Sequence, residues 1–217
     1  MLIGVSAKSQ KWQPGYFVDV KGNRETGFIR IPSGKGPIKD EGFIEFKQDD
    51  KSNPFKLSAS DIQTFVIGRD SFVVAHAPEN TSWTKKELDF VEVVLDEETK
   101  LYVTRAGIGG GGGKAIGVSP EVGAGVGTGG YSGVGGGVAV NIGGGGGSGS
   151  VRTIFFYGPN TADMHQLTPI NFKDVMSDIM GDEPDVVDKI QANQFNLDNI
   201  GKLINYFEKV KASHQGQ

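Results

Sequence analysis

The sequence predicts an α+β protein: an antiparallel β roll, barrel or sandwich followed by a small C-terminal helical subdomain. Three observations carry that expectation. Between residues 15 and 105, short apolar runs alternate with period two and are separated by polar turns. From Phe172 onward the apolar period lengthens to about 3.6. Between these regions, 22 of the 34 glycines fall in the 45 positions 106–150, so an ordinary domain carries a glycine-rich insert. The expected organisation is a β-rich domain of residues 11–105 with 151–170, the insert at 106–150, and C-terminal helices over 171–217.

The elements follow in order. Tyr16-Phe17-Val18-Asp19-Val20 leads through Lys21-Gly22-Asn23 into Thr26-Gly27-Phe28-Ile29-Arg30-Ile31, a hairpin by composition. After a Pro/Gly/Lys loop at 32–37, Gly42-Phe43-Ile44-Glu45-Phe46-Lys47 alternates as a half-buried strand does. Asp49-Asp50-Lys51-Ser52-Asn53-Pro54 is a turn cluster, and Ser58-Ala59-Ser60-Asp61-Ile62 reads as a short helical turn. Strands are expected at 64–67 and 72–76, then at 90–95 and 101–105 around the acidic turn Asp96-Glu97-Glu98. Arg152-Thr153-Ile154-Phe155-Phe156-Tyr157 resumes the pattern after the insert.

In the C-terminal region, Phe172, Val175, Met176, Ile179 and Met180 fall on one helical stripe. Asn171 is the expected N-cap, Ile170 the expected staple to Val175, and Gly181 the expected stop. Pro184 opens a second helix among acids. Asn196 caps a third, in which Phe195 staples to Ile200. Its stripe is Ile200, Leu203, Ile204, Phe207 and Val210. These stripes are expected to face the core.

The formal charge of −4 and the scattered Lys and Arg residues argue against a nucleic-acid partner, whose binders concentrate basic charge on one face. The absence of cysteine excludes disulfides and thiolate metal sites. No run approaches the ~18 apolar residues of a transmembrane helix. Met1-Leu2-Ile3-Gly4-Val5 is apolar, and Ala7-Lys8-Ser9 fits a small-x-small cleavage rule, with the turn-like Gln13-Pro14-Gly15 beyond it. Residues 1–10 therefore read as a signal-peptide remnant, with a short first strand as the alternative.

With these elements placed, the chain resembles a family of uncharacterised exported β-rich proteins of Bacteroidetes-type bacteria. The similar residues are Gly15-Tyr16-Phe17-Val18 with Thr26-Gly27-Phe28-Ile29, then Asp61-Ile62-Gln63-Thr64-Phe65. Phe90-Val91-Glu92-Val93-Val94 with Leu101-Tyr102, and Leu203-Ile204-Asn205-Tyr206, complete them. The resemblance implies export and a β-rich body followed by helices. It assigns no catalytic or ligand residue, and the glycine-rich insert departs from it.

Sequence motifs for chemistry are weak. Gly107-Ile108-Gly109-Gly110-Gly111-Gly112 matches G-x-G-x-x-G, as any glycine tract does, but no helix follows to receive a pyrophosphate. Gly113-Lys114 is followed by Ala115 where a P-loop needs Ser or Thr. His76, His165 and His214 lack the i,i+4 spacing of a helical metal site; the first two read as strand residues and His214 as part of a disordered polar tail. No catalytic, cofactor-binding or metal-binding residue is assigned, and no cofactor is expected.

The insert carries more information. Its two charges are Lys114 and Glu121. Val122, Ala124, Val126 and Thr128 are separated by single glycines, and Val134, Val138, Val140 and Ile142 again occupy even positions. Paired as a hairpin, such arms have one modest apolar face and one nearly bare backbone face. The candidate interaction residues are Val122, Val126, Tyr131, Val134, Val138 and Val140. A flexible glycine-rich loop and a membrane-inserting hairpin are the alternatives. The functional expectation is an exported, envelope-associated or cell-surface interaction protein, located in the periplasm, on the outer membrane or outside the cell. Its insert serves as contact or spacer, and its partner is protein (itself or an envelope component). A hydrolase assembled from distant residues, uniting His76 or His165 with a buried carboxylate, is the rival.

Overall fold

A computed structural model describes residues 12–32, 34–78, 83–84, 86–107 and 151–215. Among them, ten strands form one antiparallel sheet. The first four are β1 (Gln13–Asp19), β2 (Arg24–Arg30), β3 (Phe43–Lys47) and β4 (Phe55–Ser58). After a 3-10 turn at Ala59–Asp61 come β5 (Ile62–Ile67), β6 (Asp70–His76), β7 (Leu88–Leu95), β8 (Lys100–Gly107), β9 (Val151–Gly158) and β10 (His165–Gln166). The spatial order is β10-β9-β8-β7-β6-β5-β1-β2-β3-β4. Three helices follow: α1 (Phe172–Ile179), α2 (Pro184–Gln191) and α3 (Ile200–Gln215). The α+β class expected from the sequence is the one observed.

The sheet curls into a roll, and backbone hydrogen bonds show where it closes. Five inter-strand steps separate β3 from β7, which in a flat sheet would be about 24 Å. Yet the Gly42 amide donates to the Leu88 carbonyl at 2.7 Å, and the Glu87 amide to the Asp40 carbonyl at 2.8 Å. Asp40 adopts φ +60° at this junction. Inside the roll, Phe17, Ile29, Ile44, Phe46, Ile62, Phe65, Ile67, Phe72 and Phe90 form one buried cluster. Phe65 stacks on Phe72 at 4.6 Å and meets Phe90 edge-on at 4.9 Å.

Two glycines permit the tight curl. Gly15 of β1 lies opposite Gly27 of β2. A Cβ at Gly15 would sit 2.1 Å from the Val66 carbonyl oxygen, and one at Gly27 would sit 2.4 Å from that of Lys47. Only bare backbone allows the neighbouring strands so close. Gln13-Pro14-Gly15, expected as a turn, therefore belongs to β1: the ladder of β1 on β2 begins at Gln13↔Ile29. Two short strands, β4 and β10, were not expected.

Beyond the roll, β7, β8 and β9 are covered on both faces. Leu101, Val103 and Phe155 share one cluster with Phe172, Met176, Met180, Val186, Ile190, Ile200, Leu203, Ile204 and Phe207 of the helical region. A register shift between Val93 and Leu95 lets both Val94 and Leu95 join that cluster. The helical stripes face the core as expected, and helices and sheet share one hydrophobic interior.

At the helix ends, Asn171 stands at the N-cap of α1 as expected but makes no side-chain cap hydrogen bond, and the expected staple is corrected. Ile170 is 96% exposed and staples nothing. Asn171 acts within a turn that begins at Thr168. Its Oδ1 accepts from the Thr168 amide at 2.7 Å and from the Thr168 hydroxyl at 3.1 Å, while its own Nδ2 donates to the Gln166 carbonyl. For α2, Asn193 at φ +59° supplies the left-handed residue, and the Gln194 amide donates back to Lys189 at 3.0 Å. Asn196 caps the third helical segment as expected, accepting from the Asp198 and Asn199 amides.

Candidate functional site

The candidate contact residues Val122, Val126, Tyr131, Val134, Val138 and Val140 lie outside the described residues, as do residues 1–10. What the structure provides is the platform from which the insert departs. β8 and β9 pair over eight rungs, from Lys100↔Gly158 to Gly107↔Val151. The β7–β8 ladder ends at Glu92↔Val103, and β10 pairs only with Phe156 and Tyr157. Among the described residues, the four rungs from Thr104↔Ile154 to Gly107↔Val151 therefore form a two-stranded ribbon. The insert connects two ends that are already hydrogen-bonded neighbours.

The ribbon base has two unlike faces because side chains alternate across a strand. Odd-numbered Leu101, Val103 and Phe155 face the helices. Even-numbered Tyr102, Ile154 and Phe156 face away from them, in a cluster with Ala75, Val91 and Met164. Trp83 packs against this second face, its ring meeting Phe156 at 5.5 Å. The indole Nε1 of Trp83 and the hydroxyl of Thr84 are buried without a hydrogen-bond partner among the described residues.

A second feature is a row of cations and aromatic rings on the outer face of β1–β3. The Arg30 guanidinium lies 4.5 Å from the Trp12 ring, and the Lys47 ammonium lies 5.2 Å from both Trp12 and Phe28. Glu45 pairs with Arg30 at 2.5 Å, and Asp50 with Lys47 at 2.7 Å. Charges thus matched, with cations already over the rings, hold the strands together. Periodicity gave no sign of this row, because Trp12 precedes the first strand.

The rival hydrolase reading requires a histidine near a buried carboxylate. His76 ends β6 and His165 lies in β10, its ring 5.8 Å from Tyr157. Both are exposed, and among the described residues no ion pair to a carboxylate joins either. The histidine that meets a buried carboxylate is His214, whose Nδ1 is 2.7 Å from Glu183 Oε2. His214 therefore belongs to α3 and not to a disordered tail. This contact joins the end of α3 to the start of α2, and Lys211–Glu97 at 2.5 Å joins α3 to the β7–β8 turn. The neighbouring Ser213 hydroxyl donates to the Val210 carbonyl at 2.7 Å, so it is turned to its own helix. Among the described residues, no group of three His, Cys, Asp or Glu side chains is placed to hold a metal ion.

Among the described residues, four carboxylates are perturbed, in two directions. Burial pushes Asp70 and Glu208 above their ordinary range. Hydrogen bonds hold two others below it: for Asp19, chiefly from the Asn23 side chain, and for Asp49, chiefly from the Lys51 amide. A raised folded-state pKa means that Asp70 and Glu208 oppose folding when charged; that cost disappears as pH falls through their folded pKa values toward the unfolded ones. Asp19 and Asp49 act oppositely: their contribution is present above the unfolded value and is lost as pH falls through their depressed folded values. The double variant Asp70→Asn, Glu208→Gln is accordingly expected to be more stable than the parent at pH 7. The difference should shrink progressively to about pH 4. Urea melts across that range check it; a difference independent of pH would contradict it.

No family model, curated protein sequence or solved structure matches the chain.

Proposed function

We propose that the protein is an exported, envelope-associated interaction protein of the Bacteroidetes-type family its motifs resemble, and that the glycine-rich insert is its contact element. The observation that carries the proposal joins the β8–β9 register to the insert sequence. At every rung the two partner numbers add to 258, as in 100 with 158 and 107 with 151. Even residues therefore oppose even residues. All nine Ile and Val residues of 108–150 are even-numbered: Ile108, Ile116, Val118, Val122, Val126, Val134, Val138, Val140 and Ile142.

If the insert continued this register, Ile116 would oppose Ile142, Val118 would oppose Val140, Ala124 would oppose Val134, and the turn would fall at Gly129. Every Ile and Val then shares the parity of Tyr102, Ile154 and Phe156, while the odd face is mostly glycine. A chain selected only as a spacer has no reason to keep its branched residues on one parity. β-Branched residues suit a pleated surface that is covered on one side. A long apolar face whose one charged residue is Lys114 invites association with a like face or another apolar protein surface. No helix among the described residues is long and apolar enough to cross a membrane.

The test is parity. Val126→Asp with Val138→Asp charges the even face, and Gly125→Asp with Ala139→Asp places the same charge on odd numbers. The even pair is expected to abolish self-association or surface attachment in sedimentation velocity and cell-envelope pull-down, with an unchanged melting temperature. The odd pair should retain association. Equal behaviour of the two variants would contradict the proposal, and binding to lipid vesicles instead of protein would favour the membrane-inserting hairpin.

A further inference from the structure

We draw no further inference here: the strongest candidate, the row of Trp12, Phe28, Arg30 and Lys47 on the outer face of β1–β3, carries nothing because Glu45 and Asp50 already match its cations and nothing in the structure shows what covers the remaining aromatic surface.

Discussion

Replacing Leu203 by aspartate is expected to cost about 4 kcal/mol or more, enough to unfold a domain of ordinary stability. Leu203 is fully buried on α3, in the cluster that joins the helices to β8 and β9. The variant loses the burial of a leucine and places a carboxylate where the surroundings are apolar. Lys202, the exposed neighbour, should tolerate alanine within about 0.5 kcal/mol. Urea midpoints for the two variants give the comparison. A small shift for Leu203→Asp would mean that α3 is not held against the sheet.

The second large effect is expected inside the roll. Phe65→Ala should destabilise by about 3–5 kcal/mol, because Phe65 is fully buried and packs against two further rings. Phe65→Leu should recover a large part of that loss, since it refills most of the cavity without restoring the ring contacts. Thermal or urea unfolding measures both. An alanine variant as stable as the leucine variant would mean that the roll interior collapses around the vacancy.

The parts of this fold legible in the sequence are those set by side-chain period. Phe172 to Met180 and Ile200 to Phe207 announce helical stripes because i, i+3 and i+4 residues share a face. The β1–β2 hairpin announces itself through Gly22, whose φ of +87° suits glycine. The closure of the roll was not legible, because it is made by backbone amides, and the bare Cα of Gly42 that lets Asp89 approach carries no periodic signal. Gly15, Gly27 and Gly42 are local traces of the curl, but Gly15 reads equally well as a turn residue and the other two as ordinary strand glycines. β4 is four residues long and β10 two, too short for alternation to register. At the start of α1 the position was legible and the bonding was not: Asn171 stands at the N-cap, but its side chain turns back to Thr168 and Gln166 instead of capping the helix. His214 was missed because a polar sequence at a chain's end gives no sign that Glu183, 31 residues earlier, folds against it.

The proposed contact element rests on the alternation in the sequence together with the β8–β9 register, which would put both arms of the insert in one frame if it continued. Neither suffices alone. Alternation without register leaves open whether the two arms share a face, and the ladder without the sequence gives no reason for contact.

Replacing residues 108–150 by Asn-Gly tests the contact reading most directly. Gly107 and Val151 are already paired, so a two-residue turn can close the hairpin between them. Shortening a loop lowers its closure entropy cost, so the melting temperature should be equal to or higher than that of the parent. Sedimentation equilibrium over a wide concentration range should show the parent associating and the shortened protein monomeric throughout. A shortened protein that folds and associates as the parent does would contradict the proposal, leaving the insert as a spacer.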